Sequence, residues 1–110
     1  MSYRIDYAKT ARNDMRSVMR YIKVKLKNDK AASDLYDEVQ RILNRLRDDP
    51  EMFPVSDNPG LERIGVRKIN IRGYNMFYLF TGDRIYIVRF VSTLMDQYSE
   101  KFTNSVTNEL

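Results

Sequence analysis

The chain of 110 residues is 43% hydrophobic and 31% charged, which fits one globular domain with a core of its own. Cysteine and histidine are both absent. That excludes disulfides, Cys- or His-ligated metals and histidine-dependent nucleophiles. Asp48-Asp49-Glu51 and Asp96 with Glu100 lack the ligand count and spacing of a calcium or magnesium loop, so no metal or cofactor is expected. Nineteen Lys and Arg against fifteen Asp and Glu give +4, and the whole excess lies in residues 1–49, which hold twelve basic and eight acidic residues.

In chain order, Tyr3, Ile5 and Tyr7 alternate with Arg4 and Asp6 and predict a first strand. Ala11, Met15, Val18, Met19, Ile22 and Leu26 recur at helical steps and predict a helix with one apolar stripe. The stripe fades at Lys27-Asn28-Asp29, where Asn28 can close one helix and Asp29 can cap the next. Ala31, Ala32, Leu35, Val39, Ile42, Leu43 and Leu46 predict a second helix, ended by Asp48-Asp49-Pro50. The short link makes the two an antiparallel hairpin. Residues 50–60, rich in proline and polar side chains, read as a loop.

Three strands should follow, at about 64–71, 74–80 and 85–91, with turns at Arg72-Gly73 and at 81–84. Such short connections make them antiparallel neighbours. The last is apolar at Ile85, Tyr86, Ile87, Val88, Phe90 and Val91, as a central strand covered on both faces would be. A short helix or extended tail is expected from about Leu94 to Phe102, with residues 104–110 a polar tail beyond a single domain of residues 1–103. The expected fold is α+β: β-α-α-β-β-β, a helix hairpin on a mainly antiparallel four-stranded sheet, plus a short C-terminal helix or tail. Tyr74, Met76, Tyr78 and Phe80 share one strand face, and Asn75, Phe77 and Leu79 the other. Two helices cannot cover both faces, so an apolar face should stay open for a partner unless Leu94, Met95, Tyr98 and Phe102 cover it.

These residues resemble the RelE/ParE superfamily of toxins from bacterial type II toxin–antitoxin modules, the plasmid-stabilisation proteins. Ile5-Asp6-Tyr7 with Ala11, Asp14, Met15 and Tyr21-Ile22 is similar to the family's opening strand and first helix. Ala31-Ala32, Ile42, Leu46 and Pro50 are similar to its second helix. The stretch Gly65–Tyr78 resembles the family's R-x-φ-x-φ-x-x-Y-x-φ-F-Y signature, and Ile85–Phe90 its I-x-I-φ-R-I strand. After that strand, Met95-Asp96 fits the ParE-like form. Ser92 stands where a histidine is common, and Leu94 and Met95 stand where nuclease-like members carry basic residues.

The resemblance implies one of three functions. ParE-like members inhibit DNA gyrase, and the long hairpin, Met95-Asp96 and the missing basic residues lean that way. RelE-like members cleave mRNA on the ribosome. Here Arg67, Lys68, Arg72 and Arg89 would stabilise the pentacoordinate phosphate, with Tyr98 as base or stacking residue. Arg67 and Lys68 are adjacent and point to opposite faces, so only one can join such a patch. The third function is a non-toxic antitoxin-binding or corepressor module.

Arg12, Arg16, Arg20, Lys23 and Lys27 step by three or four and span an arc of roughly 80° on an ideal helix. This basic ridge could meet an acidic antitoxin, gyrase or a nucleic-acid backbone, or stand as a solvated face. The expected partner is a cognate antitoxin, acidic and partly disordered when free. It would lie along the ridge and along Tyr74, Met76 and Tyr78 in a hetero-oligomer. The N-terminus lacks a signal-peptide core and no apolar run approaches the ~18 residues of a span, so the expected location is the cytoplasm, with no membrane partner.

Overall fold

The computed structural model describes residues 2–110 as strand β1 (Arg4–Tyr7), helix α1 (Lys9–Arg20) continued by a π-helical turn (Tyr21–Lys25), helices α2 (Asp29–Leu46) and α3 (Pro59–Ile64), strands β2 (Arg67–Ile71), β3 (Tyr74–Phe80) and β4 (Arg84–Ser92), and helix α4 (Glu100–Thr107). The sheet order is β1-β4-β3-β2. β1 runs parallel to β4, and the other pairs are antiparallel. This is the expected α+β fold.

The hairpin covers one sheet face because its stripes are long and continuous. Ala11, Ile22, Leu35, Val39, Leu43 and Leu46 pack with Ile69, Ile71, Met76, Tyr78, Ile85, Ile87 and Phe90. The opposite face has a second, smaller core of Leu61, Val66, Phe77, Val88, Val91, Phe102 and Val106. The cover on that side is therefore α3 and α4. The expected helpers Leu94, Met95 and Tyr98 point away, at 95%, 46% and 56% exposure, and only Phe102 acts as expected. The polar tail is also corrected. Helix α4 continues to Thr107 and buries Val106 completely, so the 103/104 boundary falls inside a packed helix.

Three local details differ from expectation. Residues 59–64 form α3 rather than loop and strand, because Asn58 accepts from Gly60 N and Leu61 N and Pro59 stands in the first turn. Between the hairpin helices Asn28, not Asp29, caps α2 by accepting from Ala31 N at 2.9 Å. Between β3 and β4 the register slips at Phe77/Tyr78: Phe77 pairs Arg89 while Tyr78 pairs Ile87, leaving Val88 as the extra residue of a β-bulge. The Arg72-Gly73 turn is as expected. Both residues have positive φ, 49° and 86°, as a tight hairpin turn requires.

Candidate functional site

The five candidate catalytic residues do not converge. Arg67 lies on the hairpin face opposite Tyr78. Its guanidinium donates to the carbonyls of Glu51 and Phe53 and pairs with the Glu51 carboxylate at 3.2 Å. It straps the 50–55 segment to the sheet. Arg72 projects from the β2–β3 turn beside Asp34 of α2 and Tyr74, again on the hairpin side.

Arg89 lies on the other side, because the bulge at Val88 flips it from the face of Ile87 to that of Phe77. Its Nε donates to Asp14 Oδ2 at 2.7 Å and its Nη1 to Ser105 Oγ at 2.7 Å, while its guanidinium lies 5.1 Å from the Phe102 ring centre. Asp14 Oδ2 also accepts from the Phe90 amide. Arg89 thus joins α1, β4 and α4, with donors already committed to protein partners. Asp96 neither pairs with it nor caps α4. Asp96 accepts from Tyr98 N, and Ser99 is the cap.

Lys68 and Tyr98 do come together. The Tyr98 hydroxyl donates to Asp57 Oδ1 at 2.8 Å, Lys68 Nζ lies 3.6 Å from the same oxygen, and Lys68 sits 6.0 Å from the Tyr98 ring centre. The Tyr98 hydrogen bond, then Lys68, holds the Asp57 carboxyl below the usual range. A buried polar network supports this corner. Gln97 Nε2 donates to the carbonyls of Ser92 and Met95, and its Oε1 accepts from Asn75 at 2.7 Å. Asn58 Nδ2 donates to the Gln97 carbonyl at 2.9 Å.

Among the basic-ridge residues, Arg12, Arg16 and Arg20 stand exposed on regular α1, with Arg12 5.9 Å from the Tyr7 ring centre. The ridge is shorter than the spacing predicts. A Leu26 N to Tyr21 O bond marks the wider π turn that carries Lys23, and Lys27 sits beyond it at φ 49°. Among the described residues none of these five cations has a carboxylate within ion-pair distance. The one acid of α1, Asp14, is turned inward onto Arg89, so the outer strip of this helix is uniformly positive. Nothing in the spacing of Asp14 or Ser105 marks them as partners of Arg89, which lies 75 residues from the one and 16 from the other.

The expected open sheet face is closed. Met76 and Tyr78 are fully buried under the hairpin, and the Tyr78 hydroxyl donates to the Pro50 carbonyl at 2.7 Å. Neither is at the surface to meet a partner. Of the three expected partner-binding residues of this strand, only Tyr74 stays half-exposed, stacked on Phe90 at the sheet end. Exposed apolar side chains lie elsewhere, among them Tyr21, Val24 and Leu26 at the hairpin tip and Leu94 and Met95 after β4. Among the described residues no acidic cluster is placed to hold a metal, and no helix is long and apolar enough to cross a membrane.

Residues 5–97 match the ParE toxin of the type II toxin–antitoxin system, parDE. The chain belongs to this family, within the RelE/ParE superfamily. Among solved structures it is similar to a chain from the chromosomal ParDE toxin–antitoxin system of P. aeruginosa, with a TM-score of 0.64 and 16% identity over 83% of this chain and 96% of that one. It is also similar to a double mutant of the E. coli toxin RelE in the free state, with a TM-score of 0.62 and 12% identity over 100% of this chain and 99% of that one. No curated protein sequence matches significantly.

Proposed function

We propose that this protein is a growth-inhibitory toxin that acts on DNA gyrase in the cytoplasm and is neutralised by a cognate antitoxin in a hetero-oligomer. The observation that carries the choice of target is the dispersal of the nuclease candidates. Phosphoryl transfer to a 2′-hydroxyl needs cations preorganised around one phosphate. Here Arg67 is bound to backbone carbonyls, Arg89 is held by Asp14, and Arg72 projects on the opposite side from Lys68 and Tyr98. A protein that acts by binding needs no such convergence. The exposed cations of α1, which have no carboxylate partner among the described residues, give it a complement for acidic protein surface.

The test is direct. Purified protein should block supercoiling by gyrase and leave mRNA in translating ribosomes intact, and induction without antitoxin should stop growth. Cleaved mRNA with normal supercoiling would overturn the gyrase reading. Unchanged growth with folded protein would leave the antitoxin-binding or corepressor module. The nuclease alternative has one observation in its favour, the Lys68–Asp57–Tyr98 cluster. In that case Lys68→Ala and Tyr98→Phe would abolish cleavage.

A further inference from the structure

Charge on the outside of α1 is all of one sign. Seven Lys and Arg fall in residues 9–27, every one exposed. The single acid of the stretch, Asp14, is turned inward onto Arg89. Among the described residues none of the seven has a carboxylate within ion-pair distance, although seven of the other twelve cations do. On the regular part of α1, Lys9, Arg12, Arg16 and Arg20 fall within an arc of about 80°, and the three arginines follow one another at steps of about 6 Å along the axis. Beside them stand Asn13 and Ser17, exposed and uncharged. The apolar residues Ala11, Met15, Val18 and Met19 are turned away, onto the core.

We propose that this outer strip of α1 binds the phosphate backbone of duplex DNA, independently of base sequence. It adds to the gyrase reading a direct hold on the DNA on which gyrase works. Positive charge alone suits any anionic surface, and what the strip lacks narrows the choice. A folded protein partner places charges at the rim of a contact, around a buried apolar or aromatic anchor. The strip presents no such side chain and offers no centre for that contact. Single-stranded nucleic acid is held by bases stacked on aromatic rings, and an anionic membrane takes apolar side chains into its interface. The strip supplies neither. Duplex DNA asks for neither, because its backbone carries one charge per about 1.7 Å of axis and cations that displace its counterions supply the affinity. Long Arg and Lys side chains set about 6 Å apart can each meet a different phosphate, with no carboxylate among them to repel it.

The experiment is fluorescence anisotropy of a short labelled DNA duplex of mixed sequence, titrated at several salt concentrations with wild type, Arg12→Gln/Arg16→Gln/Arg20→Gln and, as a control of equal net charge, Arg45→Gln/Arg63→Gln/Lys101→Gln. The control residues are exposed and lie on α2, α3 and α4. Thermal midpoints of all three proteins should agree and confirm folding. Four contacted phosphates predict a slope of log affinity against log salt of about −3.6 for wild type, falling to about −0.9 in the strip variant. The strip variant should also bind at least about tenfold more weakly, and the control should keep the wild-type slope. Absence of wild-type binding at the lowest salt would overturn the proposal. So would an equal loss in the control, which would assign the binding to net charge, or displacement of the duplex by polyglutamate at equal charge concentration, which would assign the strip to acidic protein. Supercoiling blocked by a protein that does not bind the duplex would overturn this inference alone, and duplex binding without a block of supercoiling would overturn the gyrase reading alone.

Discussion

Arg89 and Asp14 lie 75 residues apart and meet in a two-point ion pair, Nε to Oδ2 at 2.7 Å and Nη2 to Oδ1 at 3.3 Å, with side chains only 11% and 16% exposed. Removing one partner strands the other with little water to replace it. Asp14→Ala should therefore cost about 3–5 kcal/mol, the usual result of breaking a largely buried pair. Urea denaturation measures this. A loss below about 1 kcal/mol, the range of exposed pairs, would show that the joint between α1 and β4 does not rest on this contact.

Tyr78 makes a pH prediction. Burial pushes its phenol up to about 12, the attraction of Arg67 opposing this only in part. In the unfolded chain the group titrates near its ordinary value of about 10. The folded state therefore keeps a proton that the unfolded state loses. Its stabilising contribution is complete below about pH 10 and is lost as pH rises towards 12. Tyr78→Phe should lower stability at neutral pH by about 1–3 kcal/mol, because the Pro50 carbonyl loses its donor. It should also flatten the alkaline limb, leaving the smaller part due to Tyr7 and Tyr74, which burial also raises. Superimposable alkaline limbs would refute the assignment.

Gly60 sets the separation of α3 and α4. A Cβ there would lie 2.7 Å from Thr103 Cγ2. Thr103 cannot swing away freely, because it is β-branched and its Oγ1 accepts from Asn58 Nδ2 at 2.9 Å. Gly60→Ala should cost about 1–3 kcal/mol despite alanine's better helix propensity. Thr103→Ser removes the colliding methyl and keeps the hydroxyl, so it should restore most of the loss in the double variant. Thermal melts of the four proteins form a complete cycle, and additive effects would exclude the collision.

The shortened ridge predicts a salt effect. Charge reversal at Arg16, Arg20 and Lys23 should weaken antitoxin binding and make the remaining affinity less sensitive to salt, since those cations would supply the screened attraction. An unchanged slope in binding measured at several salt concentrations would mark the strip as a solvated face.

The elements with long apolar periods were legible in the sequence: both hairpin helices, the strands and the antiparallel order after Pro50. The sheet cover was not. Phe77 and Leu79 showed that a second face needed burying, but Leu61, Phe102 and Val106 are too few and too scattered to announce two short helices. Among the catalytic candidates, the opposition of Arg67 and Lys68 followed from strand alternation and is what the register shows. The position of Arg89 did not follow, because one extra residue at Val88 inverts every face beyond it and nothing in an unbroken apolar run locates a bulge. The ridge was drawn for an ideal helix and ended where the helix widened at Tyr21–Lys25.

The parallel pairing of β1 with β4 constrains how the protein comes into being. Arg4 is in register with Arg84, so the opening strand finds its sheet neighbour only after some eighty residues have been made. The hairpin must dock on β3 and β4, and Arg89 must reach α4, so no early portion of the chain holds a finished core. A ribosome making this protein therefore carries an unfinished domain until α4 has emerged. On the proposed function, growth inhibition begins only with the completed domain, and unfinished chains are left as substrates for proteases.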